Sequence, residues 1–222
     1  MKLRLLAKKS LISRRSTAIL TIFSIAMSVA LLLGVEKVRV NAQSSFANTI
    51  SGTDLIVGAR SGSIQLLLYS VFRIGDATNN ISFKSYQDIA QQKGVKWTIP
   101  ISLGDSHRGF RVMGTSRDYF SVYQYGEKRT LEFASGKQFE GVFDAVIGAE
   151  VANALNYAIG DQVIVSHGTG SASFAQHKDK PFIISGILKH TGTPVDRTLH
   201  VSLAGIEAMH VNWQGAVKKR KA

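Results

Sequence analysis

The chain has 222 residues, 27 lysines and arginines against 15 acids, six histidines and no cysteine. The missing cysteines exclude thiol chemistry and cysteine-ligated zinc, and a chain of this length can bury a core without disulfides. Six of the bases lie in residues 1–16 and four more in Lys218–Lys221, so the net charge of +12 falls to about +2 over the body. A basic excess at the two ends matches an anionic membrane surface and not the basic face of a nucleic-acid protein.

In chain order, residues 1–16 carry Lys2, Arg4, Lys8, Lys9, Arg14 and Arg15 among Leu3, Leu5, Leu6, Leu11 and Ile12, the pattern of a basic amphipathic segment on the inner leaflet. Thr17–Val35 follows, 19 residues without a charge; as a helix it spans roughly 28 Å, the thickness of a bilayer core. Val40-Asn41-Ala42 offers the small residues a signal peptidase reads, with cleavage before Gln43 as the alternative. The run is longer than the usual core of about 7–15 residues, and Glu36, Lys37 and Arg39 crowd the would-be cleavage region, which argues for an uncleaved anchor. The basic flank on the N-terminal side places the N-terminus in the cytoplasm and everything after Val35 outside.

Residues 36–50 extend the span as a helical stalk, with Val35, Val38, Ala42, Phe46 and Ile50 on one face. Residues 51–217 are expected to form one mixed α+β domain, open to division into two lobes at about 50–115 and 145–205. Its expected elements begin with a short strand at Leu55–Val57 and a single apolar helix from Ile64 to Ile74. A helix capped by Ser82 or Ser85 and ended by Gly94 follows. A strand from Trp97 to Leu103 then pairs with Gly109–Met113 across the turn "GDSHRG". After an irregular aromatic stretch come a strand at Ala145–Gly148, a helix at Ala149–Tyr157, a strand at Gln162–Ser166, a polar hairpin loop in "GTGSASFAQHKDK", a strand in "PFIISGIL", and a final strand and helix.

Chemistry is sparse. His107, His167, His177, His190, His200 and His210 lack the close spacing of a metal site. The glycine-rich "GARSGS" and "HGTGSAS" lack the Gly-Lys-Ser/Thr ending of a phosphate loop and the G-x-S-x-G of a nucleophile elbow. No catalytic, cofactor or metal residue is assigned. Two surfaces stand out. Thr191, Gly192, Thr193, Pro194, Asp196 and Arg197 form a rigid turn, with Asp196 and Arg197 able to brace it, that either precedes a strand or contacts a partner. Leu67, Leu68, Val71 and Phe72 share one face of the apolar helix, which serves as core or meets a second subunit or lipid-like cargo.

The stretches "LISRRSTAILTIFSIAMSVALLLGVEKV", "DLIVGARSGSIQLLLYSVFRIG", "WTIPISLGDSHRGFRVMGT", "FDAVIGAEVANALNYAIGDQVIVSHG" and "PFIISGILKHTGTPVDRTLHVSLAGIEAMH" resemble the first half of FtsX-like ABC transporter permeases with a MacB-like periplasmic core domain. That group includes the lipoprotein-releasing and macrolide-exporter permeases. The resemblance implies an inner-membrane subunit that dimerises as a homodimer or heterodimer and binds a separate cytoplasmic ABC ATPase. It passes ATP-driven motion along the stalk to a periplasmic domain acting on a lipoprotein, peptide or amphipathic substrate. Such permeases have four spans. Residues 218–222 stand where the second is expected, which makes the sequence a fragment by this resemblance. The alternative is a single-span, membrane-anchored periplasmic binding or sensing module; a tethered hydrolase has no constellation to support it.

Overall fold

The computed structural model describes residues 14–49, 51–75, 79–168 and 180–210. The basic segment before Arg14, most of the loop carrying His177 and the terminal Lys218–Lys221 lie outside them, as do the stalk side chains of Ala42, Phe46 and Ile50. The chain divides into two compact units, Met1–Phe46 and Ala47–Ala222.

Helix α1, Arg15–Thr49, is unbroken. It contains no proline, and its hydroxyls turn back onto its own backbone, Thr21 Oγ1 donating to Thr17 O and Ser28 Oγ to Ser24 O at 2.9 Å each. Burying these hydroxyls in lipid therefore leaves no donor unpaired. Glu36 and Arg39 pair one turn apart at 3.2 Å. Arg15–Asn41 is, among the described residues, the one helix long and apolar enough to cross a membrane. Its Ile22, Phe23, Leu31 and Leu32 are all exposed, so its apolar surface is not the buried face of a soluble core helix.

The second unit is α+β. Short helices α2 (Ser63–Ser70) and α3 (Phe83–Ala90) precede strands β1 (Ser102–His107) and β2 (Phe110–Thr115), the single turn α4 (Tyr119–Val122) and the small hairpin β3 (Gln124–Tyr125) and β4 (Arg129–Thr130). Next come β5 (Phe133–Gly136), β6 (Asp144–Ile147), α5 (Ala149–Leu155), β7 (Gln162–Val163), β8 (Ser166–His167), β9 (Phe182–Leu188), a 3₁₀ turn at Pro194–Arg197 and β10 (Thr198–Ser202), with a helix over 203–210. The main sheet runs β5-β9-β6-β10-β2-β1-β8, with β7 also on β9. The β10–β2 and β6–β9 pairs are parallel and the rest antiparallel.

The pleat sends alternate residues to opposite faces. Ala145 and Ile147 join Phe110, Val112, Phe182, Ile184 and Leu199 on one side. Val146, between them, joins Met113, Tyr119, Phe120, Phe139, Leu188 and Val195 on the other. Gly148 sits where β6 leaves the sheet. A side chain there would stand 2.2 Å from Val195 O and 2.4 Å from Asp196 O, so glycine lets the 3₁₀ turn close against α5.

Several sequence expectations need correction. Residues 53–58 form no strand. The expected helix to Ile74 stops at Ser70 because Arg73 takes a left-handed conformation, φ +61°, and the Ile74 amide folds back to Leu68 O at 3.0 Å, the glycine-type helix ending made with an arginine. The hairpin turn is Arg108-Gly109, φ +47° and +86°, so "GDSH" is strand. Two consecutive positive φ values make the tight two-residue turn that suits a twisted hairpin, and Trp97–Ile101 is left irregular. The strand expected over Gln162–Ser166 is two pieces on different neighbours, β7 on β9 and β8 on β1. The stretches 50–115 and 145–205 share one sheet through β2 and β10, so neither stands as its own lobe. Ser82 does cap α3, accepting from Ser85 N at 3.1 Å.

Candidate functional site

The second unit contains a cavity of about 490 Å³, within the range of small-molecule sites. Its wall comes from irregular chain on one side, Leu55–Ala59 and Trp97–Ile101, and from Leu66, Tyr69, Ser70 and Val71 of α2 with its cap on another. Phe83, Tyr86 and Ile89 of α3 contribute, with Tyr123 and Leu203. The hollow has a physical cause: two stretches with strand-like composition stay unpaired and line a space instead of extending the sheet. Leu55, Val57, Ile81, Phe83 and Ile101 are exposed although apolar, which gives the cavity a greasy mouth.

Arg73 is, among the described residues, the only charged one lining it. It is 9% exposed and forms no ion pair among the described residues. Its Nε and Nη1 lack hydrogen-bond partners, as do Tyr119 Oη and His200 Nε2. Burial is the main cause that raises the Tyr119 and Tyr123 phenols above their ordinary value, and the nearby Arg73 cation opposes it in both. Tyr119 Oη lies close enough to feel the guanidinium, but the geometry of a hydrogen bond is not met. His200 is fully buried, its ring stacked on Tyr119 at 5.2 Å and edge-on to Phe120. Burial first, and the Arg73 charge second, push its pKa down to about 3. His200 is thus a neutral core histidine whose Nδ1–H faces Val146 O at 3.2 Å. His107 is likewise structural, held between Ile164 O at 2.7 Å and the Tyr157 hydroxyl at 2.8 Å, its pKa lowered chiefly by burial.

The expected contact loop is a well-braced turn, but the brace differs from expectation. The Asp196 carboxylate, fully buried, accepts from Thr191 N (2.8 Å), Gly192 N (2.7 Å) and Thr191 Oγ1 (2.9 Å), with His190 Nδ1 at 2.9 Å. Thr193 Oγ1 receives Val195 N, and Pro194 starts the 3₁₀ turn. Arg197 does not pair with Asp196: its guanidinium reaches Glu150 Oε2 on α5 at 2.9 Å and lies over the Phe110 ring. Asp196 therefore ties the turn to itself, while Arg197 ties it to the rest of the unit. Glu150, His190 and Asp196 bring ligand atoms within 4.8 Å of one another, but Arg197 occupies the first and backbone amides the third.

Of the apolar-helix residues, Val71 is buried and lines the cavity, Leu67 and Phe72 are half-buried, and Leu68 is exposed. Val71 shares the cavity wall with Tyr123, whose phenol also lies near Thr193 and Asp196 of the turn. Arg73 escaped sequence reasoning, although one signal was available: a lone charge near the end of the apolar "LLLYSVFRIG" needs either solvent or a partner. The MacB-like periplasmic core domain model matches residues 18–218. A comparison with curated proteins gives no match.

Proposed function

This chain belongs to the MacB-like periplasmic core domain family and is of ABC transporter permease type; on that premise we propose that it couples a cytoplasmic ABC ATPase to work done by its core domain in the periplasm. In this reading the N-terminus is cytoplasmic, residues 17–35 cross the inner membrane, 36–50 are the stalk and 51–217 the periplasmic core domain. The subunit dimerises, and its substrate is a lipoprotein, a peptide or another amphipathic molecule. The exposed Gly192 and Arg197 of the braced turn, and Leu68 of α2, are the positions assigned to partner contact.

The observation that supports this reading most is the continuity of α1. A helix with no proline and no interruption from Arg15 to Thr49 can carry displacement along its axis, as a flexible linker could not. Val38 lies beyond the apolar stretch with its side chain exposed, so replacing it removes no packing. Val38→Pro deletes one helical hydrogen bond and clashes with the carbonyl at Gly34, a cost of about 3 kcal/mol in a helix interior. In membranes holding the protein with its ATPase, this variant is expected to insert normally but lose at least tenfold of ATP-dependent substrate release. Unchanged release would remove the stalk from the mechanism.

A further inference from the structure

The cavity wall carries a cation that nothing on the described chain neutralises. An ionised group out of water is normally paired or drawn back to solvent. Arg73 is neither: it is nine-tenths buried, two of its three guanidinium nitrogens lack hydrogen bonds, and it has no carboxylate within ion-pair distance among the described residues. Its backbone adds to the cost, since φ +61° is an uncommon conformation for a side chain of this size. Strain and an unpaired charge at one residue, on the wall of a preformed cavity, are the marks of a group held ready for a ligand.

The rest of the lining describes that ligand. Among the described residues no second charge lines the cavity, so a single negative charge on the ligand balances Arg73. Leu66, Val57, Phe83 and Trp97 line the cavity with apolar surface, and Val57 and Phe83 are exposed at its mouth, a lining suited to an alkyl chain. We propose that the cavity binds a single-chain anionic amphiphile, its head lying against Arg73 and its chain along Leu66, Val57, Phe83 and Trp97. As the identity of a transported cargo this rests on the permease reading; as a binding site it does not.

Trp97 lines the cavity and supplies the probe. Trp213→Phe leaves it as the sole tryptophan, and the full chain is held in lipid nanodiscs at pH 8. Dodecanoate is titrated against it, with dodecanol as the same chain without charge and acetate as the same head without chain. The expected result is a saturable change in Trp97 emission with dodecanoate, at least tenfold weaker binding of dodecanol, and no response to acetate. Arg73→Gln should bring dodecanoate down to the affinity of dodecanol, and Arg73→Lys should restore part of the difference. Equal binding of dodecanoate and dodecanol by the parent chain, full binding of dodecanoate by Arg73→Gln, or saturation by acetate alone would each overturn the proposal. The parent comparison decides the matter even if Arg73→Gln does not fold. Binding that survives where ATP coupling fails would remove the permease reading and leave the site.

Discussion

Acidification is expected to destabilise the core domain by about 1.4 kcal/mol per pH unit through His200 alone, over the window from its unfolded value of 6.5 down to about 3. In the unfolded chain the imidazole takes up a proton as pH falls through 6.5, whereas in the folded core it stays neutral. Burial between Tyr119 and Phe120 disfavours the charge, and the Arg73 cation adds to that. The unfolded state then binds more protons, so stability falls with falling pH; above 6.5 both states are neutral and the group contributes no slope. By pH 5 the loss is about 2 kcal/mol, or roughly 4–8 °C in Tm for a unit of this size. His107, also depressed by burial, acts in the same direction. The measurement is Tm at pH 7 and pH 5 for the parent and for His200→Phe. The variant should show a smaller drop by that amount, and equal drops would mean that His200 is protonated in the folded core.

The second large effect is expected at Asp196. Its buried carboxylate receives two backbone amides and one hydroxyl from Thr191 and Gly192, which makes the turn between β9 and β10. Asp196→Ala strands those donors, and each unsatisfied buried group costs about 1–3 kcal/mol. Allowing for relaxation and water entry, the expected loss is about 3 kcal/mol. Asp196→Asn keeps one acceptor oxygen and should cost about half as much. The consequence reaches beyond the turn, because Gly148 packs directly on the carbonyls of Val195 and Asp196, at the junction of β6 and α5. Thermal unfolding should therefore rank parent, Asp196→Asn, Asp196→Ala, and a near-neutral Asp196→Ala would show that the turn is held by other contacts.

Much of this architecture was legible because its signals are local. The uncharged run Thr17–Val35, the cap at Ser82, the apolar strand in "FIISGIL" and the Ala-rich α5 each declare themselves within a dozen residues. The site was less legible because it depends on what fails to pair. "LIV" at 55–57 and "WTIPI" at 97–101 have the composition of strands, yet neither finds a neighbour in the sheet, and both line the cavity. The end of α2 turned on a left-handed arginine, a conformation that composition assigns to glycine. The buried surroundings of His107 and His200 were not legible in the sequence. Burial is the main cause that depresses both pKa values, with the Arg73 charge adding to it at His200, and that burial exists only once the sheet is packed. Asp196 was singled out for the right turn, but its neighbour Arg197 was given the wrong partner, since Glu150 lies 47 residues away in sequence.

The central claim is that a membrane span separates a cytoplasmic N-terminus from a periplasmic core domain. Because the chain has no cysteine, single substitutions give unambiguous labels. Ser10→Cys reports on the N-terminal side, and Glu127→Cys, at an exposed position between β3 and β4, reports on the core domain. With a membrane-impermeant maleimide and only the outer membrane opened, Glu127→Cys should label fully, and Ser10→Cys should label only after the inner membrane is broken. The reverse pattern, or a mature chain beginning at Gln43, would contradict the account.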